Sequence, residues 1–146
     1  MFIRQATEND APALCCLYAN HLTASPPPEK QDMALWRKKL SSFDNNYHIF
    51  VLESDEKIVS SVTLVIIENL THNLRPYALI ENVVTHSGYR NKGLASRLLR
   101  HASVTARQAG CYKIMLLTGS KLEATLKFYR QNGFNSEDKT GFVMWL

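Results

Sequence analysis

Arg90, Lys92 and Gly93 fall within one short polar stretch, Ser87-Gly88-Tyr89-Arg90-Asn91-Lys92-Gly93, and Leu94 and Ala95 follow directly. Two full positive charges beside a glycine suit an oxygen-rich anion. Gly93 has no side chain, so such a group can come close to the backbone. From Leu94 onward the apolar spacing turns helical, and a helix starting there aims several free N–H groups and partial positive charge at one spot. The chemistry this favours is the holding of a diphosphate. The stretch is not a nucleotide P-loop, because no Gly-Lys-Ser/Thr closes it, and it is not the dinucleotide Gly-x-Gly-x-x-Gly pattern.

Other reactive types do not converge. Cys15, Cys16 and Cys111 show no C-x-x-C spacing, so no metal site is expected. The neighbours Cys15 and Cys16 point in different directions on a helix, and all three read as reduced thiols of a cytoplasmic protein. His21, His48, His72 and His101 are scattered. His86 could touch phosphate, but it also reads as a solvated loop residue. No Gly-x-Ser-x-Gly elbow occurs.

The elements that position the loop follow from periodicity. Tyr77 to Thr85 is the strand entering it, with Leu79-Ile80 and Val83-Val84 as its β signal. Leu94, Leu98, Ala102, Thr105, Ala106 and Ala109 define the helix leaving it, and Gly110 marks its end. Upstream, Phe2 to Gln5 is a short strand and Thr7 an N-cap with Glu8 and Asp10 in the first turn. A helix through Leu14, Leu17 and Tyr18 stops before Ser25-Pro26-Pro27-Pro28, a rigid loop. A second helix is predicted from Glu29 to Leu40, with Met33, Trp36 and Leu40 on one side. Tyr47 to Leu52 and Ile58 to Ile67 make a hairpin around Ser54-Asp55-Glu56-Lys57, and Asn69 to Pro76 is a polar loop. Lys113 to Leu117 is a strand, Ser120 caps a helix carrying Leu122, Leu126 and Phe128-Tyr129, and Asn132-Gly133 ends it. Lys139-Thr140-Gly141 is expected to turn into a last strand, Phe142 to Leu146. Strands alternating with helices in this order predict an α/β domain around a mixed sheet.

The 146 residues suit one domain. A chain of that length buries about 68–70% of its unfolded surface and needs no disulfide or metal staple. Seventeen Lys+Arg against thirteen Asp+Glu give +4, enough for a small anionic ligand. Basic residues are not interleaved with aromatic ones, so nucleic-acid binding is not expected. Met1-Phe2-Ile3-Arg4-Gln5 does not lead into an apolar signal core. The longest apolar run, Ala13 to Ala19, is too short to span a bilayer. A soluble, cytoplasmic protein without membrane association is expected.

Arg90-x-x-Gly93-x-Ala95 resembles the coenzyme A pyrophosphate loop of the GNAT superfamily of N-acetyltransferases, Gln/Arg-x-x-Gly-x-Gly/Ala. Phe128-Tyr129-x-x-x-Gly133-Phe134 resembles that superfamily's second signature, and Ile3-Arg4-x-Ala6-Thr7-x-x-Asp10 resembles a common GNAT start. The resemblance covers essentially the whole chain and implies one GNAT domain over 1–146, with a mixed central sheet flanked by helices. It further implies acetyl transfer from acetyl-CoA to a primary amine of a small molecule. Such a reaction needs a clamp for the acetyl donor, a hydrogen-bond donor for an oxyanion and a proton for the departing sulfur.

On that resemblance, Arg90, Asn91, Lys92, Gly93, Leu94 and Ala95 hold the diphosphate, and the backbone of Val83, Val84 and Thr85 pairs with the pantetheine arm. An N–H near Val83 serves the oxyanion where two central strands splay. The side chains of Val83 and Val84 also read as plain sheet core. Tyr129 is implied as general acid, although its helical spacing alone reads as packing. Glu81 is the candidate on the base side, taking the amine's proton directly or through water, or simply holding the ammonium. Strand alternation puts it on the same face as Val83.

Within the superfamily the chain is most similar to glucosamine-6-phosphate N-acetyltransferases, through Ile80-Glu81-Asn82-Val83-Val84 and Gly110-Cys111-Tyr112-Lys113-Ile114. Asn82 replaces an aspartate of that group, and Leu117-Thr118-Gly119 stands where it has an acidic turn. Arg75 and Lys121 could offer charge to a sugar phosphate. An amino-sugar phosphate is therefore one named acceptor. A peptide or protein amine, and a non-catalytic acetyl-CoA-binding sensor, stay open. The apolar Phe142 to Leu146, together with family habit, points to a homodimer.

Overall fold

A computed structural model describes residues 1–22 and 31–146. The expected Ser25-Pro26-Pro27-Pro28 loop and the start of the second helix at Glu29 lie outside the described residues.

Five strands form one sheet in the order β1 (Phe2–Gln5), β2 (Tyr47–Ser54), β3 (Lys57–Ile67), β4 (Tyr77–Thr85) and β5 (Ile114–Leu116). The first four run antiparallel, and β4 with β5 is parallel. A parallel pair needs a crossover, which is α3 (Leu94–Gln108). The other helices are α1 (Ala11–His21), α2 (Met33–Ser41) and α4 (Glu123–Gln131). This is the α/β arrangement expected, with a mixed sheet flanked by helices.

Alternation along β2 divides the core. Phe50 and Leu52 join Leu64, Ile80 and the α3 residues Leu94, Leu98 and Ala102 on one face. Ile49 and Val51 join Leu14 of α1 on the other, where Trp36 and Leu40 of α2 pack against them. Leu98 is fully buried; its truncation to Ala would cost about 2–5 kcal/mol. Beyond α3, Gly110 takes φ +79 and Cys111 N–H reaches back to the Ala106 carbonyl at 3.0 Å, stopping the helix as expected. Asp55 and Glu56 both have positive φ, as a two-residue primed hairpin requires.

The GNAT-like opening has a physical reason. The Asp10 carboxylate accepts two hydrogen bonds from Arg4, at 2.7 and 2.8 Å, and one from the Thr7 N–H at 2.7 Å. Arg4 also donates to Glu53 of β2. One ion-pair cluster thus ties the first strand, the turn before α1 and the hairpin together.

Three boundaries differ from expectation. α2 begins at Met33, because Asp32 caps it by accepting from the N–H groups of Ala34 and Leu35. α4 begins at Glu123; the Ser120 hydroxyl accepts from Leu122 N–H and donates to Thr125, so Ser120 shapes the approach and is not the cap residue. The late turn is made by Asn135, whose side chain accepts from Glu137 and Asp138 N–H, and not by Lys139-Thr140-Gly141.

The larger correction concerns Phe142 to Leu146, which form no strand. Phe142 is 90% exposed and Trp145 88%. A strand needs a neighbouring edge, and the ladder of β5 is only three residues long. The five apolar residues signal burial, but none of them is buried against the described residues.

Candidate functional site

β4 carries the site. On one side it pairs with β3 along its length, but on the β5 side pairing ends at Ile80 opposite Leu116. β5 ends at Leu116, so Glu81 to Thr85 have no partner on this side among the described residues. The β3 side is also irregular. Ser61 faces Val84 and Thr63 faces Glu81, so β4 holds one residue more than β3 across this interval. Asn82, with φ +51, lies at the bulge. A bulge leaves a residue out of the ladder and turns the next side chain.

The bulge overturns one expectation. Val83 packs with Ile80 on the α3 face of the sheet, whereas Glu81 lies opposite Thr63 in register. Thr63 lines the cavity on the α1–α2 face. Glu81 and Val83 thus do not share a face, because the extra residue shifts the period of two by one.

At the end of β4, the Ser60 hydroxyl donates to the Val84 carbonyl at 2.7 Å and bonds the Thr85 hydroxyl at 2.7 Å. Val84 is buried, and Thr85 is partly so. The loop then turns sharply. His86 does not stand free: its Nδ1 accepts from Gly88 N–H, and its ring lies 4.3 Å from that of His21. Arg90 folds back, donating to the Thr85 carbonyl at 3.3 Å, while Lys92 sits 4.9 Å over the Tyr89 ring. Asn91 has φ +60.

Gly93 is the residue before α3, with φ +72. The first helical bond runs from Arg97 N–H to the Gly93 carbonyl, so the N–H groups of Leu94, Ala95 and Ser96 precede the intrahelical ladder. A Cβ built on Gly93 would meet no atom of the chain within 4 Å. The space over the helix terminus is open, and the residues present fit a diphosphate there.

Tyr129 of α4 is half-buried against the α3-side core, edge-on to Phe128 and Phe134. Its hydroxyl makes no hydrogen bond among the described residues. Burial pushes its pKa up, and the charge of Glu81 pushes the same way. The phenol is thus held protonated at neutral pH; Tyr129 packs on the α3 side of the sheet, and Glu81 lies opposite Thr63 on the other. Arg75, in contrast, is at the opposite end of β4, donating to the carbonyls of Gly110 and Cys111. Its charge serves the turn after α3 and does not face the bulge.

Sequence reasoning missed a cavity of about 350 Å³ on the α1–α2 face, reaching from Trp36 and Phe43 to Thr63 and Asn82. Tyr18 and Tyr47 also line it, and burial pushes both phenols up. The Tyr18 hydroxyl lies 3.3 Å from Ser61 Oγ. The available signal was the number of aromatic residues between Trp36 and Tyr47.

The profile of the acetyltransferase (GNAT) family matches residues 15–134. The chain belongs to that family. An N-acetyltransferase is thus the class of enzyme that fold and loop define. Glucosamine 6-phosphate N-acetyltransferase of Trypanosoma brucei brucei is 30% identical over 122 residues, 82% of this chain and 79% of that one. Among solved structures, a protein of Agrobacterium tumefaciens str. C58 described as a candidate acetyltransferase superposes with a TM-score of 0.87 at 38% identity over all of both chains. Glucosamine-6-phosphate N-acetyltransferase of Arabidopsis thaliana superposes at 0.84 with 20% identity, over 99% of this chain and 97% of that one, and shares the fold.

Proposed function

We propose that this chain moves an acetyl group from acetyl-CoA to a primary amine of a small molecule, acting as one domain over residues 1–146. The observation that carries the reading is the end of β4–β5 pairing at Ile80, which leaves Glu81 to Thr85 unpaired on that side beside the open N-terminus of α3. In the reaction the amine nitrogen bonds the acetyl carbon, the carbon–sulfur bond breaks, and the proton lost by nitrogen balances the one gained by sulfur.

Each group of this chain has a part in that balance. The N–H groups of Leu94 and Ala95, with Arg90, Asn91, Lys92 and Gly93, bind the diphosphate. The free edge of Val83, Val84 and Thr85 orients the pantetheine arm, and an N–H at the bulge stabilises the developing oxyanion. Glu81 accepts the proton of the amine, directly or through water. Tyr129 supplies a proton to the departing sulfur; its raised pKa keeps that proton in place at neutral pH.

The names of the curated relatives favour an amino-sugar phosphate as acceptor. Asn82 in place of an aspartate, and Leu117-Thr118-Gly119 in place of an acidic turn, weigh against it. The exposed Phe142 to Leu146 support a homodimer in which a second copy covers them. A cytoplasmic enzyme with no nucleic-acid or membrane partner is part of the same proposal; no described helix is long and apolar enough to cross a bilayer. Incubation with acetyl-CoA and a panel of amines, followed by free thiol, tests the reading. Turnover is expected; binding without turnover across the panel would make the chain a sensor.

A further inference from the structure

We infer that the acceptor is an arylalkylamine, an amine carried on a flat apolar body, and that it is read by the aromatic cavity between α1, α2 and the sheet. The inference rests on the acetyl-transfer reading above and names its acceptor class.

The walls of the cavity are rings and aliphatic chains. Trp36 and Leu40 come from α2, Leu14 from α1 and Ile49 from β2, while Phe43 and Tyr47 close one side. The rings are already arranged against one another: Phe43 and Tyr47 stack at 3.9 Å with planes 12° apart, and Tyr18 lies tilted 6.2 Å from Trp36. A planar apolar body gains contact area on such walls without ordering them anew. The volume, about 350 Å³, falls at the small end of small-molecule sites, about 300–1,000 Å³.

A sugar phosphate meets the opposite conditions. Its hydroxyls need partners once water leaves, and its phosphate needs several cations or N–H groups. Among the described lining residues Lys39 alone carries a formal charge, and its ammonium lies 5.6 Å over the Phe43 ring. Arg75 is occupied at the far end of β4.

The polar groups cluster at the floor instead. Thr63 is 1% exposed, and its Oγ1 has no hydrogen-bond partner among the described residues. The Tyr18 phenol approaches the same hydroxyl, so the two form the polar end of an otherwise apolar cavity. Asn82 of the bulge lies on the same floor, and Glu81 stands across the ladder from Thr63. An amine seated there lies on the face of the sheet that carries Glu81, with its body among the rings. Apolar walls disfavour the ammonium relative to the neutral amine, which is the form that attacks. The proton leaves toward Glu81, the nitrogen–carbon bond forms, and the carbon–sulfur bond breaks as in the transfer above.

The test compares phenethylamine with glucosamine 6-phosphate at saturating acetyl-CoA, following thiol release by the whole chain. The expected kcat/KM is at least about tenfold higher for phenethylamine, the scale on which apolar pockets discriminate. Equal or better use of glucosamine 6-phosphate overturns the inference and leaves acetyl transfer standing. Acetyl-CoA binding in calorimetry without turnover of either amine also overturns it, and absence of acetyl-CoA binding overturns both readings. Phe43→Ser should raise KM for phenethylamine about tenfold with acetyl-CoA affinity unchanged, which also certifies the fold. In a second measurement, phenethylamine should quench tryptophan fluorescence in the wild type and not in Trp36→Phe, where Trp145 still emits. Unchanged KM in the first variant, or equal quenching in the second, overturns the assignment.

Discussion

From Tyr77 to Ile80, β4 lies between two strands; from Glu81 to Thr85 it has β3 alone. Both halves are rich in aliphatic residues. In the first half, Ala78 and Ile80 are buried and the backbone is satisfied on both sides, so the segment acts as scaffold. In the second, Asn82 breaks the register, Val83 turns to the other face, and an edge is left open beside the loop from Ser87 to Gly93. An open edge is normally a liability. Here it lies beside a helix terminus and two cations, Arg90 and Lys92, that pair with no anion among the described residues. Sheet pairing that stops part-way along a strand is the local change that turns core into site.

If that difference between the halves is functional, substitutions beyond Ile80 should alter binding and turnover with little effect on stability. Gly93→Glu should have the largest effect. A non-glycine residue at φ +72 costs about 1–2 kcal/mol of backbone strain, and the carboxylate would fill the open space and repel phosphate. Calorimetry should show loss of coenzyme A binding by about 100-fold or more, a differential of about 2.7 kcal/mol. Retained affinity would move the diphosphate elsewhere. Next in size is Tyr129→Phe. A positioned acid contributes about 10²–10⁴-fold, and a thiolate leaves well unaided, so kcat should fall by about 10²-fold. Acetyl-CoA affinity and Tm should stay near wild type, the signature of an interaction made in the transition state. Full kcat in the folded variant would assign the proton to water. Glu81→Gln should lower kcat/KM by about tenfold if a water can replace the carboxylate as base; unchanged kinetics would leave Glu81 as an exposed strand residue.

The scaffold half was legible in the sequence, and the break was not. Leu94, Leu98, Ala102 and Ala106 repeat every fourth residue, so α3 and the loop before it could be placed within a residue or two. The continuous apolar run Ile49 to Leu52 is equally direct as a strand, although it does not say which residue takes which face. The bulge has no comparable sign: asparagine tolerates the left-handed region better than most residues, but an asparagine in a β run does not announce an extra residue. The faces of Glu81 and Val83 were misread for that reason. The last strand was misread because pairing is non-local. Phe142 to Leu146 carry the β composition, but they pair with no strand among the described residues. The aromatic cavity was missed because its walls come from α1, α2, β2 and the segment between, and periodicity within one element does not reveal convergence between elements.

The smallest expected effect on turnover belongs to the ion-pair cluster of Arg4, Asp10 and Glu53, on the scaffold side of the comparison. Arg4, as the strongest influence, holds the Asp10 carboxyl below its ordinary value, and the Thr7 N–H adds to this against the cost of burial. A carboxylate with a depressed folded-state pKa contributes stability that is present above its unfolded value and is lost as pH falls through the folded one. Asp10→Asn keeps the shape and removes the charge. It should destabilise the fold at pH 7 by about 1–3 kcal/mol, the range for hydrogen bonds to charged groups, partly exposed as these are. The gap from wild type should narrow below about pH 4, where wild-type Asp10 also begins to lose its charge in the unfolded chain. Urea unfolding at pH 7 and pH 3 measures both. The kcat of the folded variant should equal that of wild type, since the cluster touches neither the bulge nor the loop. A drop in kcat without a drop in stability would mean that the first strand and the open edge are coupled, and that the two halves of β4 are not separable as structure and function.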